Sequence, residues 1–323
     1  MSSEEFRVVF DGKKYDLKQF MRDHPGGVKT LRHYEGKSIV QAMAKFGHSS
    51  SAYHMLGDFQ VSEHASVRAI RLLSLLRFRR NEYEEKNFIY VPLDGSRLDW
   101  SKPILSQLPK IADQYDLWVN SAVYRKCRLF ASPLLESMTF TPWYLVPMFW
   151  IPVILYLGAT LWQYLYQILF GIFIWTSLEY TLHRFVFHLD PGSSITMIQM
   201  HFLIHGMHHK VPFDGLRQVF PPIPALVITM VLYAPVQLFL AYPVIKLTGG
   251  LIGYLTYDMI HYYVHHGSPS DGTYLYTMKR YHSNHHFINH DKAFGISNKL
   301  WDYVFNTVAH VKKLGFSLQW CDS

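Results

Sequence analysis

Two histidine-rich stretches, His201-Phe-Leu-Ile-His205-Gly-Met-His208-His209 and His282-Ser-Asn-His285-His286, carry the residues of this chain best suited to chemistry. Thirteen of the 19 histidines lie between His183 and His290, so the enrichment is local. On a helix, side chains three and four apart share a face. That spacing sets His205 beside His208 and His209, and His282 beside His285 and His286. His261 and His265, four apart, form a further pair. His183 and His188 are five apart, roughly 140° round an ideal helix, so either the helix ends between them or the two serve different ions. These ten imidazoles come close to five apiece for two metals. Imidazole nitrogen suits iron, zinc and copper, whereas magnesium and calcium favour oxygen, which argues against the last two.

Neighbouring residues are expected to support the ligands. His201, one turn before His205, is expected to stand behind the ligand set, with direct ligation as the alternative. Glu179, one turn before His183, and Asp258, three before His261, are expected to accept from ligand imidazoles and fix their tautomers, with helix capping or loop contacts as the alternative. Asp258 sits in an apolar stretch, where a charge costs about 2.5–3.5 kcal/mol at a bilayer centre and less near its edge. His266, His290 and His310 are left outside the set.

The elements that must position these residues are apolar. Residues 137–178 contain no Asp, Glu, Lys or Arg in 42 positions, and residues 218–245 none in 28. About 20 apolar residues cross a bilayer as a helix. The pattern predicts four spans in two hairpins, at about 141–158, 161–182, 223–244 and 247–265, with turns near Gly158 and Lys246. The ten histidines then fall at one mouth of the bundle, in a helical cap. Arg125, Lys126, Arg128, Arg184, Lys210, Arg217, Lys279 and Arg280 lie on that same side, which makes it cytosolic by the positive-inside rule.

Composition agrees. The chain is 49% hydrophobic and 16% aromatic, with a net charge of +7. No compact Lys/Arg patch with interleaved aromatics is present, so the charge points to an anionic membrane surface or an acidic redox partner and away from nucleic acid. Cys127 and Cys321 are the only cysteines, which argues against a disulfide scaffold and for cytosol-facing domains. The opening Met-Ser-Ser-Glu-Glu lacks a signal-peptide pattern, so insertion is expected from internal segments.

Ahead of the apolar stretches, residues 6–10 read as a strand, Asp11-Gly12 as a turn, and residues 15–20 as strand or helix entry. The run Tyr15-Asp-Leu, His24-Pro-Gly-Gly, Phe46-Gly-His48-Ser and Ala52 resembles cytochrome b5 over about fifty residues. The resemblance implies haem b gripped axially by His24 and His48, with His33 and His54 as weaker alternatives. With both axial positions filled, such an iron passes single electrons and does not bind oxygen. Residues 67–80 are basic and amphipathic, either a membrane-surface helix or a plain linker helix, and residues 82–101 are the best boundary. The expected division is a cytochrome b5-like α+β domain at 1–67, a linker at 68–98 and an all-α integral membrane domain at 99–323.

The second domain resembles the membrane fatty acid hydroxylase superfamily and, within it, the 2-hydroxylase branch. The matching residues are His183-Arg-Phe-Val-Phe-His188, His205-Gly-Met-His208-His209-Lys-Val-Pro-Phe-Asp-Gly, Val219-Phe-Pro-Pro, Tyr257-Asp-Met-Ile-His261-Tyr-Tyr-Val-His265, His282-Ser-Asn-His285-His286-Phe and Trp301-Asp-Tyr-Val-Phe. The resemblance implies O2-dependent hydroxylation at carbon 2 of a long acyl chain by two metal ions. Iron is expected in the working enzyme, although a nitrogen-only site also retains zinc. The implied substrate is a long-chain fatty acid, acyl-CoA or ceramide in the endoplasmic reticulum membrane, with both termini and the active site cytosolic. No GxGxxG fingerprint for a dinucleotide is visible. Electrons are therefore expected from NAD(P)H through a separate cytochrome b5 or P450 reductase, and then through the haem. The alternatives are a sterol-type oxidase or desaturase of the same superfamily, a histidine-rich metal transporter with a haem appendage, and a tail-anchored electron carrier.

Overall fold

The computed structural model describes residues 5–61, 97–158, 164–239 and 241–311. The amphipathic stretch 67–80, most of the boundary 82–101, the turn after Gly158 and Cys321 lie outside the described residues.

The first unit is built on a hairpin. Strands β1 (Arg7–Phe10) and β2 (Lys13–Asp16) pair antiparallel, with Phe10 opposite Lys13. Asp11 and Gly12 between them both have positive φ, 47° and 74°, as a two-residue turn matched to strand twist requires. Of the stretch 15–20, expected as strand or helix entry, only Tyr15 and Asp16 are strand; the Asp16 carboxylate accepts from the backbone of Phe6 and Lys18 where the strand ends. Helices α1 (Val28–Arg32), α2 (Val40–Lys45) and α3 (Ser50–Leu56) close over the hairpin. Phe6, Val8, Phe10, Leu31 and Met43 are among the side chains filling the core between them. A small α+β unit followed by helices is the architecture expected from the sequence.

The second unit is helical. Its entrance comprises α4 (Tyr115–Val119) and α5 (Pro133–Ser137). Four longer apolar helices share the unit: α6 (Leu145–Gly158), α7 (Leu165–Thr181), α10 (Pro222–Phe239) and α11 (Pro243–His266). Between α7 and α10 come α8 (Ile195–His201) and α9 (Met207–Lys210); α12 (Tyr274–Phe287) and α13 (Leu300–Val304) follow α11. Leu108, Ile111, Tyr115 and Trp118 pack with Ile198, Phe202 and Val211, so the entrance segment braces the histidine-bearing helices from outside.

Helices α7 and α11 approach closely. A Cβ on Gly171 would meet Lys246 O at 2.3 Å, and one on Gly249 would meet Ile168 O at 2.1 Å. Only glycine permits this backbone contact, the small-residue packing familiar between apolar helices. The break before α11 lies earlier than the turn expected near Lys246. Tyr242 adopts φ 54° and Pro243 opens the next helix, while Lys246 is buried inside α11 and donates to Ala241 O. Proline at the first helical position suits this start, since its missing N–H would have no partner there. By length and composition α10 is the one described helix apolar and long enough to cross a membrane, and α6 is a shorter apolar helix of 14 residues. Large apolar side chains stand exposed along α6, α7 and α10, among them Met148, Tyr156, Leu169, Met230 and Phe239.

Candidate metal centre

The five-residue spacing of His183 and His188 is resolved by a π-turn. After α7 the backbone widens over Leu182–Phe187, and His188 N–H donates to His183 O at 3.1 Å. An i to i+5 bond of this kind inserts one residue into a turn and is frequent at functional sites. It swings both imidazoles to one side. A second such turn, Phe202–Gly206, separates α8 from α9 and delivers His205 and His209 to the same place.

The ten imidazoles gather in two groups of five. In the first are His183, His188, His205, His209 and His285; in the second are His208, His261, His265, His282 and His286; the donor nitrogens of each group all lie within 4.8 Å of one another. His205 is the hub of the first, its Nε2 lying 3.2 Å from His183 Nε2, 3.1 Å from His188 Nε2 and 3.0 Å from His209 Nε2. His282 is the hub of the second, its Nε2 being 3.2, 2.8 and 3.0 Å from those of His261, His265 and His286.

Tautomers follow from the outer contacts. His183 Nδ1 donates to Phe294 O at 2.5 Å and His285 Nδ1 to Lys292 O at 2.7 Å. A carbonyl only accepts, so both Nδ1 atoms carry the proton and both Nε2 atoms present a lone pair inward. The side-chain amide of Gln218 sits 2.9 Å from His208 Nδ1. Burial pushes His183 down to about 4. Burial first, and neighbouring imidazoles second, hold His188, His205, His208, His209, His282, His285 and His286 well below the ordinary histidine value. All are therefore neutral at physiological pH, the form in which an imidazole can donate to a metal.

These donors fit metal ions. A metal–imidazole bond of about 2.0–2.1 Å places neighbouring ligands at right angles about 3 Å apart, and the separations here run from 2.8 to 3.2 Å. A cation at the centre turns the mutual repulsion of inward lone pairs into attraction. Five nitrogens and no oxygen favour iron, zinc or copper.

The supporting residues are arranged differently from expectation. Glu179 is buried and accepts from the backbone of Ile296 at 2.9 Å and Ser297 at 2.7 Å, and from the Ser297 hydroxyl. It therefore pins the loop after His290, the loop whose Phe294 carbonyl orients His183. Asp258 accepts from Phe220 N–H at 3.3 Å and from the Tyr254 hydroxyl at 3.5 Å. Glu179 thus makes the loop contacts named as the alternative, and Asp258 makes one to Phe220, just ahead of α10, and one within α11. His201 belongs to neither group; its Nδ1 is 2.7 Å from the Tyr115 hydroxyl. Tyr115, Asp116, Asn120, Asp190 and His201 join His188, His205 and His209 around a cavity of about 100 Å3 that opens on the first group. His290 approaches His209 edge-on, with ring centroids 5.7 Å apart, outside both groups.

Gln218, Tyr115 and the carbonyls of Phe294 and Lys292 were not legible in the sequence. Gln218 had a weak signal, a polar residue at the head of an uncharged apolar run; the carbonyls had none, since any residue supplies one.

In the first unit His24 and His48 face each other, their rings 6.1 Å apart and 25° from parallel. Two metal–nitrogen bonds of about 2 Å each leave about 2 Å for the two half-rings, so one ion fits between them. His48 Nδ1 donates to Met43 O at 3.0 Å, which leaves the lone pair on its Nε2. Burial pushes His24 down to about 3 and also lowers His48. Gly26 leaves space that a Cβ would take, 2.5 Å from His24 Cε1. His33 packs on Tyr34 instead, ring centroids 5.2 Å apart.

Residues 168–307 match the fatty acid hydroxylase family, and residues 2–66 match the cytochrome b5-like heme/steroid binding domain. The chain is 38% identical to the fatty acid 2-hydroxylase of Homo sapiens, covering 92% of this chain and 90% of that one. It is 40% identical to the dihydroceramide fatty acyl 2-hydroxylase FAH2 of Arabidopsis thaliana, covering 67% of this chain and 94% of the relative. The solved structure of full-length scs7p, in which only the hydroxylase domain is visible, superposes with a TM-score of 0.60 at 31% identity over 67% of this chain and 87% of that one. With both domain matches and full-length relatives at this identity, the chain belongs to the fatty acid 2-hydroxylase family, hydroxylating oxidoreductases of lipid metabolism that here carry a cytochrome b5-like domain ahead of the hydroxylase domain.

Proposed function

We propose that the chain inserts a hydroxyl at carbon 2 of a long acyl chain destined for sphingolipids, the substrate being a fatty acid or the acyl chain of a ceramide. The observation that carries this reading is the pair of five-imidazole groups, inward lone pairs facing one another in a single cap. The names of the human and Arabidopsis relatives support the substrate class. Hydroxylation consumes one O2, two electrons and two protons; one oxygen atom becomes the hydroxyl and the other leaves as water. Putting a hydroxyl in place of hydrogen at a saturated carbon is an oxidation that no acid or base supplies, so a pair of ions, iron in the working enzyme, would supply the oxygen chemistry.

The chain's own residues do the rest. His183, His188, His205, His209 and His285 hold one ion; His208, His261, His265, His282 and His286 hold the other. The Phe294 and Lys292 carbonyls keep His183 and His285 in the ligating tautomer, and Glu179 keeps the loop bearing Phe294 in place. The cavity beside His188 and His205 is small, about 100 Å3, and is lined by Tyr115, Asp116, Asn120, Asp190 and His201. It therefore suits the polar end of the lipid or water, and the acyl tail lies elsewhere, along the apolar helices. Tyr115 and His201 furnish hydrogen bonds at its wall.

Four spans formed by α6, α7, α10 and α11 in the endoplasmic reticulum membrane, with cap and haem domain cytosolic, agree with the exposed apolar side chains on three of these helices. His24 and His48 hold haem b, which passes single electrons. An NAD(P)H-dependent cytochrome b5 or P450 reductase recharges it.

The test is mass spectrometry of sphingolipids from cells lacking endogenous 2-hydroxylase, with and without this chain. Appearance of 2-hydroxy acyl species supports the reading. New double bonds or oxidised sterols in their place assign the chain to a desaturase or sterol oxidase.

A further inference from the structure

The haem domain rests on the cap in this structure, through a small and specific contact. Asp58, at the end of the first unit, accepts from Tyr124 N–H at 3.1 Å and from Arg125 Nε–H at 2.7 Å. The Tyr124 hydroxyl reaches back to Asp23 Oδ2 at 2.9 Å and Gln19 O at 3.1 Å, and Ser51 Oγ donates to Asn120 O at 3.2 Å. The receiving loop is itself anchored to the metal-bearing helix. Lys210, next to His209, donates from Nζ to Trp118 O at 2.8 Å and to Ser121 O, and its carbonyl accepts from Val123 N–H at 2.9 Å. Position is thus transmitted from His209 to Tyr124 within one rigid segment.

Between the two histidine sites runs a file of aromatic rings. Phe20 stands edge-on to His24, centroids 5.7 Å apart, and edge-on to Phe213 of the cap at 5.6 Å. Phe213 stacks on Phe287 at 6.1 Å and 17°. Phe287 follows His286 in the chain, and their rings are 6.0 Å apart. His286 belongs to the second group of five. Phe213 also meets Tyr124, at 5.4 Å, so the docking loop and the ring file converge on one side chain.

We propose that Asp58, Tyr124 and Arg125 form an in-chain docking latch, and that Phe20, Phe213 and Phe287 form the electron path from the haem ligand His24 to His286, so that electrons enter through the second group. The inference rests on the function proposed above. Each passage moves one electron: ferrous haem becomes ferric, the receiving ions are reduced by one, and no bond is made or broken. The reductant is the haem, recharged by the NAD(P)H-dependent reductase proposed above; the final oxidant is O2.

The latch and the path separate experimentally in the full-length, metal- and haem-loaded protein. Hydrogen exchange reads docking at the Tyr124 amide, and stopped-flow absorbance reads oxidation of pre-reduced haem on mixing with O2 and lipid. Charged hydrogen bonds of this kind make Asp58→Lys raise exchange at Tyr124 and slow haem oxidation by about tenfold each. The swap Asp58→Arg with Arg125→Asp restores the ion pair and with it fast haem oxidation, a rescue that general damage would not give, while exchange at Tyr124 stays raised because a guanidinium offers its amide no acceptor. Phe287→Leu, at a ring that touches Phe213 and His286 and not Tyr124, slows haem oxidation while exchange at Tyr124 and the haem spectrum stay as in wild type. Wild-type exchange in Asp58→Lys overturns the latch, and wild-type oxidation in Phe287→Leu overturns the path. A wild-type chain that yields no 2-hydroxy lipid fails the functional reading instead, whatever the exchange result.

Discussion

The two groups of five imidazoles are alike in count and hub geometry and unlike in surroundings. The first, around His205, is tied to the loop after His290 through Phe294 and Lys292 and opens on a polar cavity with Tyr115 and His201. The second, around His282, is formed chiefly from α11 and α12 with His208, is touched by Gln218, and has the ring of Phe287 beside His286. The difference teaches that two groups built from the same side chain are set apart by their neighbours, one facing the polar pocket and the other the ring of Phe287, and on the function proposed above they divide the work accordingly. If so, each group is indispensable, for different reasons.

Breaking either hub has the largest expected effect. His205→Ala and His282→Ala each reduce 2-hydroxy product to background while the haem absorbance remains, measured by lipid mass spectrometry and visible spectra of the same preparation. His24→Ala does the converse to the spectrum and starves turnover of electrons.

Acid weakens both groups together. With His183 at about 4 in the folded chain against an ordinary 6.5, the unfolded chain takes up a proton that the folded one refuses. Stability of the metal-free protein is therefore level above about pH 6.5 and is lost as pH falls toward about 4. Thermal unfolding of stripped protein across this range gives the sign; a Tm that rises on acidification contradicts it.

A narrower change distinguishes the groups. Gln218→Ala removes the partner of His208 Nδ1 and lowers affinity of the second ion roughly 10–100-fold, as loss of an outer hydrogen bond to a ligating histidine does. The first ion stays. Competition with a chelator, followed by metal analysis, reads the two separately, and equal loss of both ions contradicts the assignment.

The smallest expected effect falls on the scaffold they share. Gly249→Ala forces a methyl against Ile168 O, between the helix that leads to His183 and the one that carries His261 and His265. Overpacking of this kind costs about 1–3 kcal/mol, read as a lower Tm with both ions retained in the fraction that remains folded.

The ligand candidates were legible because helical spacing aligns His205 with His208 and His209, and because all ten fall at the ends of apolar runs. Sharing a face did not mean sharing an ion. His208 parts from His205 and His209, and His285 from His282 and His286, since side chains on one face still diverge toward two centres. The placement of His188 was hidden, since a π-turn leaves no mark in the sequence beyond the five-residue spacing itself. The break at Tyr242 was masked by continuous apolarity, and the carboxylates of Glu179 and Asp258 went to backbone amides that no side-chain pattern announces. The Asp11-Gly12 hairpin was plain, because turn chemistry is local; the contact of Phe20 with Phe213 was not, because 193 positions separate them.

The most direct measurement of the central claim is elemental analysis of purified chain alongside its hub variants. Two ions per wild-type polypeptide beyond the haem iron, and one each in His205→Ala and His282→Ala, is the result predicted. Two ions retained in both variants would contradict a centre built from two separate groups of five.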